Sequence, residues 1–377
     1  ASGRAGLLTD FHAARRSRSC AANADTANDS ACSGWRLARR VSVKMVRFGV
    51  IGTNWITESF LEAARTVDGF ALTAVYSRTE AQARLFAGKH GGDSISIFTS
   101  VEEMAESGCI DAVYIASPNS FHARQAIACM RRGVHVLCEK PIASNSAELA
   151  SMIETARESG VVLMEAMKST LMPNFQAIRD SLPEIGQVRR YFASYCQYSS
   201  RYDAYKRGTL LNAFNPIYSN GALLDIGIYC MYPMVVLFGK PERVWANGIK
   251  LESGVDGEGS LLFSYPERGM DAIVLYSKIA DSALPSEIQG EAGNIIIGAI
   301  NQPKSVHVRQ RDGTVRDVSR PQADNTMVYE VEEFIRLIRT GQRESEVNSL
   351  THSLWTMELM DEARKQIGLR YPADRTD

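Results

Sequence analysis

The sequence predicts an α/β protein in two parts. A doubly wound parallel sheet comes first, then a second α/β domain with a large open, mostly antiparallel sheet. Three observations support this. Between residues 46 and 166, short apolar runs alternate with segments of helical period. From residue 187 the segments lengthen, read as β and are divided by glycine turns. A chain of 377 residues also exceeds what one ordinary core organises.

In the first part, VRFGVI (46–51) reads as a buried strand and 57–67 as a helix with its stripe at Phe60, Leu61, Ala64 and Val67. A strand over 70–77 and a helix over 79–91, stopped by glycine, follow. Next come a strand over 94–98, a helix over 101–107 and the unbroken apolar run DAVYIAS (111–117), ended by Pro118. A helix over 121–133, a strand over 134–140, a helix over 146–160 and a strand over 161–166 complete the series. Strands this uniformly apolar are covered on both faces, and the helices between them give parallel, right-handed crossovers. The first domain is therefore expected over 45–165 and the second over 166–377.

The second part opens with a helix over 173–182. β-like segments follow at 187–199, 242–253, 259–266, 270–278, 286–290, 294–300 and 305–310. Helices over 222–238, 327–340 and 350–366 are expected to pack on this sheet. A sheet face left without helical cover favours association of copies.

With 45% hydrophobic and 23% charged residues and a net charge of −1, the chain lacks the basic stripe of a nucleic-acid binder. No apolar run reaches the ~18 residues of a membrane span. Seven scattered cysteines show no C-x-x-C pair or metal spacing, and several sit in apolar runs such as HVLCEK. They read as reduced thiols of a cytosolic protein. Residues 1–44 differ, with eight Arg or Lys against three Asp, a charge of +5 that leaves −6 on the rest. They are expected to be a poorly ordered leader or tag, although Arg- and Ser-rich composition also suits an organelle import signal. Met45 stands directly before the first strand.

The stretch GVIGTNWIT (49–57) carries the first chemistry. A strand, then Gly52, then a helix start is the layout that lets backbone N–H groups and the helix dipole meet a pyrophosphate. A full G-x-G-x-x-G fingerprint would place glycines where this chain has Asn54 and Thr57. Asn tolerates left-handed geometry, and Thr is small enough for close helix–strand approach. On this reading the backbone from Thr53 to Ile56 touches the phosphates, with Trp55 at the cofactor's edge. An ordinary β–α turn capped by Thr53 or Asn54 is the plainer alternative.

Other segments add to it. Ser77 and Arg78 stand where an NAD site places Asp or Glu, and an Arg beside a hydroxyl suits a 2′-phosphate, favouring NADP. An exposed Arg at a helix start would look the same. ASPNSFH (116–122) sets Ser117, Pro118 and Asn119 on the ligand-binding edge of the sheet, with the Asn119 amide offered to ribose or nicotinamide. His122 is grouped with them as a cofactor contact rather than a catalyst. In CEKPIA (138–143), Lys140 ends a buried strand beside Glu139 and Pro141. There it could bind a substrate oxygen or lower a neighbour's pKa, or simply snorkel to solvent. In NGALLDIGIYCMYP (220–233), Asp225 and Tyr229 share one helix face among apolar residues, so the carboxylate needs a partner. They suit a proton relay or a hydroxyl clamp, or else a helix-start Asp beside a core Tyr.

In order, G-T-x-x-I-T, S-P-N-x-x-H, G-V-H-V-L-x-E-K-P, M-E-A and N-G-A-L-L-D-I-G-I-Y resemble the Gfo/Idh/MocA oxidoreductase family, from Met45 to the C-terminus. The resemblance implies an N-terminal Rossmann domain and a C-terminal α/β domain whose open sheet makes dimers or tetramers. It also implies hydride transfer between a nicotinamide cofactor and a sugar, polyol or related diol. The family's E-K-P lysine falls on Lys140 and its aspartate on Asp225. Where many members carry His, this chain has Tyr229. That is similar to the branch of glucose–fructose oxidoreductase and the dimeric dihydrodiol or D-xylose dehydrogenases, which tend to use NADP.

The combined expectation is a dehydrogenase or reductase using NADP, or NAD, on a secondary alcohol or carbonyl of a sugar-like small molecule. Tyr229 would be the general acid/base, its ordinary pKa of ~10 lowered by Lys140. Asp225 would orient Lys140 or grip a second hydroxyl, and Lys168 and Asn215 would line the pocket. No metal, nucleic acid or membrane is expected, and the chain should form a homodimer or homotetramer through the C-terminal sheet. The rivals are a non-catalytic NADP-binding sensor of the same fold and a biliverdin-reductase-like or imine-reducing enzyme.

Overall fold

Apolar strands close to the sequence expectations build the first layer of the computed structural model, which describes residues 45–374. The expectations for residues 1–44 lie outside the described residues. The strands are Val46–Ile51 (β1), Phe70–Tyr76 (β2), Ser96–Phe98 (β3), Ala112–Ile115 (β4), His135–Glu139 (β5) and Leu163–Ala166 (β6). The helices between them are Trp55–Ala64 (α1), Glu80–His90 (α2), Val101–Glu106 (α3), His122–Met130 (α4) and Ser146–Ser159 (α5). All neighbouring strands are parallel, in the order β3-β2-β1-β4-β5-β6. The order reverses between β1 and β4, so the loops leaving these two strands part and open a crevice at their carboxyl ends.

The second layer follows Pro173–Ser181 (α6). Its elements are Val188–Cys196 (β7), Tyr202–Lys206 (α7), Ile228–Phe238 (α8), Arg243–Lys250 (β8), Asp256–Tyr265 (β9), Met270–Ser277 (β10), Ser286–Gly290 (β11), Gly293–Ile297 (β12), Val306–Gln310 (β13) and Val315–Asp317 (β14). Val328–Thr340 (α9) and Leu350–Ile367 (α10) end the described chain's long elements. The eight strands run β14-β13-β12-β11-β7-β10-β9-β8, antiparallel throughout except that β7 and β10 are parallel. Connections between consecutive strands give every antiparallel pair except β7–β11; β7 meets both β10 and β11 across long stretches of sequence in the middle of the sheet. The short α7 and β14 were not expected from the sequence, because neither carries enough apolar residues to show a period.

Two features depart from the sequence expectation. The helix expected over 222–238 begins with a π-helical turn, Leu223–Gly227, before α8. α9 does not cover the second sheet. Its N-cap Met327 and its Val331, Phe334, Ile335 and Leu337 join Val46, Phe48 and Phe60 in the core of the first layer, with the Phe334 ring 5.9 Å from that of Phe48. The apolar face of α9 matches the sheet face beside α1, so the chain returns to its first layer after completing the second. α8 and α10 pack on the second layer, and Tyr191, Leu223 and Met231 share one buried cluster with Ile115, Val136 and Cys138 of the first. The helical run Pro216–Phe238 is long and apolar enough to cross a membrane, but 78% of that window is buried inside the protein.

Candidate active site

The first loop is built around its glycine. Gly52 has φ +105°, and a Cβ there would stand 2.7 Å from the Ala116 carbonyl oxygen, so the turn leaving β1 lies against the end of β4. Asn54 is not left-handed, as its sequence position suggested, but extended at φ −96° and ψ 179°. Its side chain caps α1, accepting from the Ile56 and Thr57 amides at 3.0 and 3.3 Å, and its Nδ2 donates to the Ala116 carbonyl at 2.9 Å. The cap therefore occupies the Ile56 amide that was expected to face a phosphate. Thr57 is fully buried against the sheet, and Trp55 is 68% exposed.

Gly52, Thr53 and Asn54 line a cavity of about 680 Å³ together with Ser77, Arg78, Ser117 and Pro118. Arg78 is exposed beyond the end of β2. Ser117 Oγ donates to Gln125 at 2.6 Å. Asn119 lines a second, adjoining and deeper cavity, but its amide nitrogen donates to the Ser219 carbonyl at 2.8 Å and so ties the two layers together instead of pointing a free donor at a ligand. His122 is fully buried, its ring nitrogens 2.9 and 2.8 Å from the carbonyls of Pro141 and Ser117. Burial holds its pKa below the ordinary imidazole value against the pull of both carbonyls. It joins the β4 loop to the Lys140–Pro141 turn, whose peptide bond is cis.

The second cavity, of about 300 Å³, adjoins the end of β5 and gathers Asn54, Trp55, Glu139, Lys140, Lys168, Tyr195, Tyr229 and Glu330. Glu139 accepts a hydrogen bond from the Tyr114 hydroxyl at 2.5 Å. Lys140 Nζ donates to the Asp225 carboxylate at 3.0 Å and to its backbone carbonyl at 2.9 Å. The same ammonium lies over the Tyr229 ring, 4.9 Å from its centroid. The other Asp225 oxygen accepts from Lys278 at 2.7 Å, so this carboxylate is clamped between the half-buried Lys140 and the buried Lys278. Burial alone would raise the Asp225 pKa; Lys140 and Lys278 outweigh it and hold the carboxyl far below its usual range. Burial likewise lowers the Lys140 pKa, but Tyr229, Asp225 and Glu139 reverse this and raise it.

Tyr229 behaves differently from the sequence expectation. Burial raises its pKa, and Lys140, seated over the ring, offsets only part of the rise. The phenol is therefore held protonated at neutral pH. Asn215 is outside both cavity walls; its side chain accepts from the Ile217 amide and caps a short turn. Lys168 does line the deeper cavity. Lys278, Tyr195 and Glu330 were missed. Lys278 had the same signal as Lys140, a cation closing an apolar strand (DAIVLYSK), and Glu330 falls among the apolar spacings of α9. Among the described residues no group of three or more His, Cys, Asp or Glu could hold a metal ion.

The model of a family described as "Oxidoreductase family, NAD-binding Rossmann fold" matches residues 46–167, and that of the GFO/IDH/MocA C-terminal domain matches 176–296. The chain is 54% identical over 331 residues to scyllo-inositol 2-dehydrogenase (NADP(+)) IolU of Bacillus subtilis (strain 168), spanning 88% of this chain and 100% of that protein. The chain belongs to the Gfo/Idh/MocA family. A second family relative, the trans-1,2-dihydrobenzene-1,2-diol dehydrogenase of Xenopus laevis, is 33% identical over 86% of this chain and 99% of its own. The 3-ketoreductase KijD10 of Actinomadura kijaniata, solved with NADP and TDP-benzene, superposes with a TM-score of 0.76 at 24% identity, covering 86% of this chain and 98% of its own. That likeness shows the Gfo/Idh/MocA fold. As a member of this family the chain is an oxidoreductase that uses a nicotinamide dinucleotide.

Proposed function

We propose that this chain is an NADP-dependent dehydrogenase or reductase that interconverts a secondary alcohol and a ketone on a cyclic polyol or similar sugar-like ring. The observation that carries it is the Lys140–Asp225–Lys278 clamp beside Tyr229, set where the dinucleotide cavity ends. The described residues fit the cofactor. The close approach at Gly52 leaves no room for a side chain, and the cavity from the β1 turn to Arg78 is lined by hydroxyl and amide side chains with two cations, Arg78 and Arg124. A phosphate at the turn would meet the amides of Thr53 to Trp55, since Asn54 engages that of Ile56. Ser77 and Arg78, with no acidic side chain beside them in the cavity wall, support a 2′-phosphate and hence NADP. Both the name of the Bacillus subtilis relative and the cyclic diol of the Xenopus laevis one support the substrate class.

When bound, the nicotinamide gives or takes the hydride. The chain's own residues manage the proton. Lys140, fixed by Asp225, presents an ammonium that would bind the reacting oxygen, and Tyr229 passes a proton to that oxygen during ketone reduction and receives one during alcohol oxidation. Because Tyr229 is protonated at neutral pH, reduction should be flat with pH through the neutral range. Oxidation needs the phenolate and should accelerate as pH rises. A panel of inositols, sugars and dihydrodiols assayed with NADP and NAD tests this reading. Tyr229→Phe should cut kcat by roughly 10²–10⁴-fold with cofactor affinity unchanged. Unchanged turnover in that variant, or turnover with NAD alone, would refute the respective assignment.

The second sheet also supports association of copies. Trp245, Leu262, Ile273 and Phe192 form a cross-strand row over β8, β9, β10 and β7, and Trp245, Ile249 and Leu262 are 49%, 52% and 42% exposed. A contiguous apolar row on a face without helices is the surface a second copy would cover.

A further inference from the structure

One wall of the deeper cavity has no part in this proton chemistry. Glu330, in the first turn of α9, is 1% exposed and borders the same space as Glu139, Lys140, Lys168 and Tyr229. Neither of its carboxyl oxygens has a hydrogen-bond partner among the described residues. A buried carboxylate left unpaired is costly, so a side chain in this position either carries a proton or meets a ligand. Burial raises the Glu330 pKa well above the carboxyl range and the charge of Glu139 raises it further, while Lys168 opposes both.

A neutral carboxyl presents one O–H donor and one C=O acceptor side by side. A primary carboxamide presents one N–H donor and one C=O acceptor in the same spacing, so the two groups complement each other at two points. The nicotinamide ring carries such a carboxamide, and the cavity that Glu330 borders is the one holding the Lys140 and Tyr229 side chains. We propose that Glu330 is a positioning residue that pairs its carboxyl group with the nicotinamide carboxamide through two parallel hydrogen bonds. Holding the ring by its amide would fix which face it turns to the substrate. The return of α9 to the first layer is what brings this carboxyl to the cavity. The inference rests on the nicotinamide reading of the site.

Equilibrium binding to the full chain tests it without turnover. NADP and its 3-acetylpyridine analogue, whose methyl ketone has no N–H, would each be titrated against wild type, Glu330→Gln and Glu330→Leu. Wild type should prefer NADP, and Glu330→Gln, which keeps a donor and an acceptor, should stay within about threefold of it. Glu330→Leu should lose about ten- to a hundredfold in NADP affinity and bind the two nucleotides alike, as expected for two lost hydrogen bonds. Glu330→Asp, which withdraws the group by one methylene, carries the same comparison if the Leu variant does not fold. Undiminished NADP affinity with an unchanged preference over the analogue, in the Leu or the Asp variant, would overturn the pairing. Should wild type bind neither nucleotide, the cofactor reading would fall first and the pairing with it.

Discussion

Asp225 shows how burial and charge decide a role that spacing only suggests. The sequence offered a carboxylate on an apolar helix face and demanded a partner for it; the folded chain supplies two, Lys140 and Lys278. Lys278 is 3% exposed and also donates to the Ala213 carbonyl at 3.2 Å, with its ammonium 5.1 Å from the centre of the Phe214 ring. We expect Lys278→Met to lower kcat by about tenfold while leaving the NADP dissociation constant unchanged, because Asp225 would keep one cation but lose its fixed position. The same change should also lower stability, by less than the ~3–5 kcal/mol of breaking a fully buried pair, because the Asp225 side chain is 34% exposed and keeps Lys140. Denaturant unfolding and steady-state kinetics on one preparation separate the two effects. Full activity in a destabilised variant would make Lys278 purely structural.

At the level of elements, the β1–α1 junction explains why an incomplete glycine fingerprint is sufficient. Gly52 alone sits at a φ that a side chain resists, whereas the next fingerprint position has an extended backbone that Asn54 adopts without strain. Asn54 then does what a glycine cannot, capping α1 and tying it to β4. Asn54→Ala should destabilise the chain by about 1 kcal/mol through the lost cap. It should also weaken NADP binding, since the turn loses its bond to Ala116. Thermal unfolding with and without NADP reads both, and a variant indistinguishable from wild type in each would show the cap to be dispensable. α9 is the other instructive element. Its length and amphipathic period were legible, but the sheet it would cover was not, because an apolar stripe carries no address.

The whole molecule places its chemistry between layers. Lys140 comes from the first sheet, Asp225 and Tyr229 from the π-helical turn and α8, Lys278 from the strand end after β10, and Glu330 from the returning α9. One buried cluster runs through both layers, which holds these side chains at fixed separations. The outer face of the second sheet is free of that work and carries the Trp245–Leu262 row. If copies associate there, light scattering should give wild type two or four times the chain mass, and Leu262→Lys should bring it down to one. A monomeric wild type would refute the proposed association.

The sequence by itself determined the order of the long strands and helices, though not the short α7 and β14, together with the glycine turn after β1 and the strand-end position of Lys140, because these follow from local period and backbone geometry. It also placed Asp225 and Tyr229 within one helical turn of each other. Only the tertiary structure decided the partners. It closed Lys278 onto Asp225 across 53 residues, bound the Asn119 amide to Ser219 across 100, and set Glu330 into the cavity wall. Those pairings depend on which apolar faces bury against one another. The pKa of Tyr229 depends on the same burial, which outweighs the lysine above its ring.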